Sequence, residues 1–242
     1  MFVADALRNE VKKNGFAICE DVLPPAEIAA LLGSLDRISE SGSLRKRGAT
    51  FAVRNLLDTS LEVRKLANSE MVRRLVEAVL GPGSFAVRGI LFDKIPDANW
   101  KVPWHQDVTI AVQEKVEAEG FGAWSIKADV LHVQPPAYVL EQMISVRIHL
   151  DPCGEANGAL RVIPGSHLQG RIPEGEIARI REEIPERICA VRAGSALVMR
   201  PLLLHASSPS RAPGHRRVVH IDFAAVKLPN SMRWFSEKSR HE

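Results

Sequence analysis

The pattern of hydrophobic and polar positions changes character about a third of the way along the chain. Before Gly83 it runs mostly at helical spacing. Within residues 24–40, Ile28, Leu31, Leu32, Leu35 and Ile38 recur three and four positions apart, behind two prolines that suit a first helical turn. A second helical stretch over 61–80 meets a strong stop at Gly81-Pro82-Gly83. A short apolar run at 15–23 reads as the one strand of this part, and 41–50 as a polar loop.

From residue 84 the apolar runs shorten and alternate. SFAVRGILFD, QMISVRIHL, ALRVIP, ICAVRA, ALVMRP and RVVHIDF each read as a strand. Turn signals such as Asn157-Gly158, Pro164-Gly165-Ser166 and Ala193-Gly194-Ser195 separate them. Many short strands without βαβ alternation predict a mainly β sandwich or barrel with flanking helices. One domain over 1–242 is expected, mostly helical over 1–83, with a β core over 84–226. The segment 113–138 is polar, then carries tryptophan and prolines, and reads as a loop insert or lid.

Composition adds exclusions. A chain of 242 residues with 45% hydrophobic and 25% charged residues is ordinary for a globular protein. The net charge of +3 is weak, and Arg45-Lys46-Arg47 and His215-Arg216-Arg217 are short clusters without interleaved aromatics, so no nucleic-acid partner is expected. Cys19, Cys153 and Cys189 are odd in number, far apart and in no C-x-x-C, which fits a reducing compartment. With no signal-peptide pattern and no window that would span a bilayer, the expected location is cytoplasmic, with no membrane partner.

The chemistry concentrates in His-x-Asp triplets. Three occur, at His105/Asp107, His149/Asp151 and His220/Asp222. Random placement of the eight histidines and ten aspartates would give roughly a third of one. Alternate residues of an extended segment project to one side, so such a pair supplies two ligands of a two-His, one-carboxylate iron(II) site. A third ligand must come from elsewhere. In a jelly roll several strands separate the pair from a distal histidine. His205 stands 98 positions after Asp107 but only 54 after Asp151, and after Asp222 only His241 remains, in a charged tail. Spacing favours His105, Asp107 and His205. After His205 come a turn-rich loop and a strand opening with Arg216-Arg217. An arginine there could point into the same cavity and hold a carboxylate by its planar fork.

These pieces resemble one family. FDKIPDANWKVPWHQD (92–107), NGALRVIPGSH (157–167) and LLHASSPSRAPGHRRVVHIDF (203–223) look like the signatures, in order, of the phytanoyl-CoA dioxygenase family of Fe(II)/2-oxoglutarate-dependent oxygenases, over roughly residues 10–230. The resemblance implies a double-stranded β-helix (jelly roll, cupin-like) flanked by N-terminal helices. It implies Fe(II) on His105, Asp107 and His205 as the metal and catalytic set, with 2-oxoglutarate as cosubstrate. Arg216, eleven residues after His205, would hold the far carboxylate in preference to Arg217, helped by Ser207. The implied reaction uses O2, releases succinate and CO2, and by default hydroxylates a small organic substrate. The family's halogenases have a small residue where Asp107 stands, so halogenation is not expected.

Further candidates are less determined. Arg147 alternates with Ile144, Val146, Ile148 and Leu150, and would touch the keto-acid end of 2-oxoglutarate if its face lines the barrel. Trp104, Gln134 and Asn99 are candidate substrate contacts. Trp124 and Lys94 read equally well as surface residues, whereas His149, Asp151, His167, His220 and Asp222 read as structural. Two alternatives stand beside the main reading: a cupin-like metal enzyme that uses no 2-oxoglutarate, and a catalytically inactive binding protein on the same scaffold. An arginine anchor argues against the first and an intact ligand set against the second.

Overall fold

The computed structural model describes residues 4–40, 51–95, 99–211 and 214–240. The polar loop expected at 41–50 and His241 lie outside these. The N-terminal part carries α1 (Ala4–Asn14), β1 (Phe16–Cys19), α2 (Pro25–Glu40), β2 (Phe51–Val53), α3 (Leu56–Thr59), α4 (Leu61–Ala67) and α5 (Glu70–Leu80). Then come β3 (Phe85–Asp93), β4 (Val102–His105), β5 (Ile110–Val112), β6 (Gly122–Lys127), β7 (Val130–Gln134), α6 (Ala137–Leu140), β8 (Met143–His149) and β9 (Leu160–Val162). The chain continues with α7 (Ile177–Glu183), β10 (Arg187–Cys189), β11 (Ala196–Met199), β12 (His205–Ser207) and β13 (Arg217–Ala224).

Three antiparallel sheets result. Six strands run in the order β1-β11-β8-β13-β3-β2, four in the order β10-β9-β12-β4, and three in the order β5-β7-β6. The six-stranded sheet shows why alternation matters. Ile144, Val146 and Ile148 of β8 and Val219, Ile221 and Phe223 of β13 join one core cluster with Leu7, Leu31, Leu35, Leu66 and Leu75 of the helices. The residues between them, Ser145, Arg147, His149, His220 and Asp222, are also buried, on the opposite face. One face of the sheet is therefore plated with helices, and the other carries these buried polar side chains alongside apolar ones such as Leu197 and Met199.

Several local expectations change. The single helix expected over 61–80 is two, because Ser69 caps a new one by accepting from the Val72 amide at 3.4 Å. A second N-terminal strand, β2, pairs with β3. The segment 113–138, expected as a loop insert, instead holds β6 and β7, with Val133 buried against Ile110, Val112 and Trp234. Its charged first half masks a hairpin that is only half apolar. His205 does not end the apolar strand before it. A turn, with the Leu203 amide bonded to the Arg200 carbonyl at 3.1 Å, carries the chain from β11 in one sheet to β12 in another.

Gly158 holds the turn before β9 at φ +77°, and a Cβ there would stand 2.5 Å from the Ser208 carbonyl oxygen. Gly158→Ala is expected to cost about 1–3 kcal/mol, from left-handed strain and a displaced backbone. The measurement is a thermal melt, and an unshifted curve would contradict the reading.

Candidate active site

His105 closes β4 and His205 opens β12, and the two are direct cross-strand partners in the four-stranded sheet. Asp107 lies two residues beyond β4, its amide bonded to the Pro201 carbonyl at 2.9 Å. One ligand atom from each of His105, Asp107 and His205 lies within 4.8 Å of the others. His105 Nε2 is 3.9 Å from Asp107 Oδ1, and His205 Nε2 is 3.7 Å from Oδ2.

Both rings are held the same way. His105 Nδ1 lies 2.8 Å from the Pro103 carbonyl, and His205 Nδ1 lies 2.8 Å from the Leu203 carbonyl. A carbonyl only accepts, so each Nδ1 carries the proton and each Nε2 turns a lone pair toward Asp107. Burial keeps His205 neutral, pushing it well below the usual histidine range against the pull of Asp107. Burial opposes the charge on Asp107, but the positive field around it, Arg88 included, holds the carboxyl below its ordinary value. Two imidazole Nε2 atoms and one carboxylate thus converge where a dication could be held.

Gln106, between the ligands, faces away and is buried. Its Nε2 donates to the Leu202 carbonyl at 2.6 Å and the Gly170 carbonyl at 2.8 Å, and its Oε1 accepts from the Ile172 amide at 2.8 Å. It ties the His-x-Asp segment to the turn that presents His205.

The His105, Asp107 and His205 group opens on a cavity of about 230 Å³ between the sheets. Arg216, Ser207, Arg147 and Lys94 line it together with His105, Asp107 and His205. Arg216 enters from just before β13, in the facing sheet, and not from a strand hydrogen-bonded to β12. Its Nη1 donates to the Gly158 carbonyl at 2.9 Å. Arg217 points away and pairs with Asp151, Nε to Oδ2 at 2.9 Å. Arg147 donates to His220 Nδ1 at 2.8 Å, and His220 Nε2 lies 2.7 Å from Asp222 Oδ1. The Nε atoms of Arg147 and Arg216 are both buried without a hydrogen-bond partner.

Lys94 is fully buried, donating to Ser207 Oγ at 2.9 Å and the Ser208 carbonyl at 2.6 Å. Burial, with Arg216 beside it, lowers its pKa to about 7. The signal was present on β3 and the residue after it, where Arg88, Ile90, Phe92 and Lys94 share parity and all line the cavity. Three other candidates lie elsewhere. Trp104 sits between the guanidinium groups of Arg161 and Arg181, 5.4 and 5.1 Å from its ring centre. Next to inward-facing His105 on an extended strand, it must face out. Gln134 accepts a hydrogen bond from Arg171. Asn99 clamps Ser210 through both its backbone groups at 2.5 Å. None of the three lines the cavity, and neither does Trp124, whereas Trp100 does.

The sequence profile described as "Phytanoyl-CoA dioxygenase (PhyH)" matches residues 11–218. The chain belongs to the phytanoyl-CoA dioxygenase family. Membership makes it a dioxygenase of the class that uses iron(II) and 2-oxoglutarate. The peroxisomal phytanoyl-CoA dioxygenase of Mus musculus is 22% identical over 253 residues, spanning 90% of this chain and 67% of the relative. Among solved structures, AviO1 from Streptomyces viridochromogenes superposes with a TM-score of 0.69 at 24% identity, over 95% of this chain and 98% of that one. The epimerase SnoN, in complex with Fe3+, alpha ketoglutarate and nogalamycin RO, gives a TM-score of 0.71 at 17% identity, over 94% and 91%. The structural likenesses place the fold as the jelly roll of this class.

Proposed function

We propose that His105, Asp107 and His205 hold iron(II), that Arg216, Ser207 and Arg147 bind 2-oxoglutarate, and that the protein hydroxylates a small organic substrate. The observation that carries this is the convergence of two imidazole lone pairs and a carboxylate beside two buried guanidinium groups with unsatisfied Nε atoms. A buried orphan donor costs about 1–3 kcal/mol, and a dicarboxylate would satisfy both. SnoN was crystallised with iron and alpha ketoglutarate, another name for 2-oxoglutarate, on this fold. When bound, iron and 2-oxoglutarate supply the oxidising chemistry, in which O2 gives one oxygen atom to succinate, with loss of CO2, and the other to the substrate.

The chain's own residues do the positioning. The Pro103 and Leu203 carbonyls fix both imidazoles, and three protein ligands on one side leave the opposite side free for ligands. Arg216, seated on the Gly158 carbonyl, would take the far carboxylate of the oxoacid, next to the Ser207 hydroxyl. Arg147, oriented by His220, would meet the keto-acid end. Ile90, Phe92 and Leu160 line the same cavity and keep part of it apolar. A cupin-like enzyme without an oxoacid would leave the buried Arg216 without purpose, and an inactive binding scaffold would have no use for the ligand set.

Among the described residues no helix is long and apolar enough to cross a membrane. The three cysteines are unpaired and buried, which supports the reducing environment of a cytoplasm.

The test is anaerobic addition of iron(II) and 2-oxoglutarate to the purified protein. A visible charge-transfer band is expected, and Arg216→Gln should raise the 2-oxoglutarate concentration needed for it by at least about tenfold. No band and no oxoacid turnover would defeat the proposal.

A further inference from the structure

Six cationic side chains line the cavity, Arg54, Arg88, Lys94, Lys127, Arg147 and Arg216, against one carboxylate, Asp107. They fall into two groups. Lys94 and Arg147 are each depressed first by burial and then by Arg216. Lys127 is depressed by burial, then by Arg88 and Arg54, and Arg54 by burial and then by Arg88. Lys94, Arg147 and Arg216 are buried, whereas Arg54, Arg88 and Lys127 are half-buried. Asp107 lines the cavity with both groups. The extended segment from Arg88 to Lys94, just past the end of β3, gives the scale, six residues or about 20 Å.

The inner group, Lys94, Arg147 and Arg216, is the one a 2-oxoglutarate would neutralise. The outer group has no comparable partner. Arg88 is satisfied, with its Nε 2.6 Å from Asp222 Oδ2. Lys127 donates to a neutral hydroxyl, Thr109 Oγ1, at 3.0 Å. No ion pair to Arg54 or Lys127 is present among the described residues. Iron(II) and a dianionic oxoacid cancel in charge, so loading the site leaves this surplus as it is. A positive wall in a partly enclosed cleft concentrates anions.

We infer that the outer end of the cavity, with Arg54 and Lys127 in front of Arg88, is a receptor for an anionic group, a carboxylate or phosphate, on the primary substrate. This rests on the 2-oxoglutarate reading, which assigns the inner cations to the oxoacid. The position also limits the substrate's size. Thr109, which anchors Lys127, is two residues after the ligand Asp107, at most about 7 Å along the backbone. The anionic group therefore sits within a few bonds of the carbon presented to the metal. The expected substrate is a compact anion oxidised near its charge, not a long chain whose charge is remote from the reacting carbon. The net charge of +3 is too small to show this, because the surplus is local.

The experiment uses the protein loaded anaerobically with iron(II) and 2-oxoglutarate, at low ionic strength, titrated with inorganic phosphate, acetate and, as a neutral control, acetamide. Melting temperature and calorimetry report binding, and the charge-transfer band reports the oxoacid. Saturable binding of phosphate or acetate is expected without binding of acetamide, and the preferred anion names the group. The Arg54→Gln/Lys127→Gln protein should bind that anion at least about tenfold more weakly, with 2-oxoglutarate affinity within about twofold of wild type. Arg216→Gln should show the opposite pattern. Circular dichroism checks folding, and the single Lys127→Gln variant gives a milder second reading.

Equal anion binding by wild type and the double variant would overturn the inference, as would an equal loss of 2-oxoglutarate affinity, which would make the outer cations part of the oxoacid site. A wild type that forms no charge-transfer band would instead defeat the dioxygenase proposal. The anion titration of the metal-free protein would then decide the receptor separately.

Discussion

His205→Ala is expected to abolish 2-oxoglutarate turnover and the charge-transfer band while leaving the protein folded. Of the two histidines proposed as ligands, His205 is the more buried, with 4% of its side chain exposed against 36% for His105. It has one orienting hydrogen bond, to the Leu203 carbonyl, and its Nε2 faces Asp107. Substitutions of residues that merely orient a ligand cost about 10–100-fold in metal affinity, so removal of a ligand should exceed about a hundredfold. Truncating a buried ring in a strand also leaves a small void. The expected sign of that effect on melting is a modest decrease, and in the absence of metal the two proteins should differ little. The measurement is iron(II) binding by anaerobic calorimetry, with melting followed in metal-free and loaded protein. A variant that binds iron(II) as tightly as wild type would exclude His205 from the metal set.

Asp222→Asn is expected to be the most damaging single substitution for stability. The carboxylate is buried and takes Arg88 Nε at 2.6 Å, Ser145 Oγ at 2.6 Å and His220 Nε2 at 2.7 Å. Burial opposes its charge, yet Arg88, His220 and these hydrogen bonds hold it far below the ordinary carboxylate range. Removing one partner of such a pair strands the other charge, at about 3–5 kcal/mol. For a chain of this size that is on the order of 10 °C in melting temperature. A depressed native pKa contributes stability above the unfolded value of about 3.9, and the contribution is lost as pH falls through the native one. The gap between wild type and Asp222→Asn should therefore be full at neutral pH and narrow in strong acid. Glu183→Gln, which breaks an exposed pair with Arg179, is the control expected to leave the melting curve in place. Asp222→Asn should also raise the KM for 2-oxoglutarate, because Asp222 orients His220 and His220 orients Arg147. Equal melting of the variant and wild type would show that Arg88 finds other compensation.

Different parts of the site were legible in the sequence to different degrees. His105 and Asp107 share parity on one segment, and their distance from His205 is a chain property, so the ligand set could be read. Arg216 over Arg217 depended on family resemblance, and the structure separates them because Asp151 takes Arg217. Trp104 was a missed use of the same rule, since a residue adjacent to an inward histidine on a strand faces out. Lys94 and Arg88 were missed because a charged residue in a strand reads as solvent-facing until the sheet around it is known. Arg54 and Lys127 were out of reach. They come from distant segments that only the tertiary fold brings to one cavity wall. Of the core strands β3, β8, β9, β10, β11 and β13 were read, but β4 to β7 were not, nor was the hop from β11 to β12, because Pro201-Leu202-Leu203-Leu204 is as apolar as the strand before it.

The helix-plated sheet has one further consequence. On β8 Arg147 faces the chemistry while Ile144, Val146 and Ile148 face the oil; on β13 His220 faces the chemistry and Val219, Ile221 and Phe223 the oil, and on β3 Arg88, Ile90 and Phe92 line the cavity while Leu91 faces the helices. Each of these strands thus works as a two-channel tape, one channel for cohesion and one for reactivity, read in alternate frames. An insertion or deletion of a single residue within any of them would swap the channels, sending arginines into the helix layer and valines into the cavity. Substitution can rewrite the reactive channel at little cost to the cohesive one, but a frameshift in register would corrupt both together. Length changes are therefore confined to the connecting segments, and new specificities on this scaffold should arise there and at the inward positions alone.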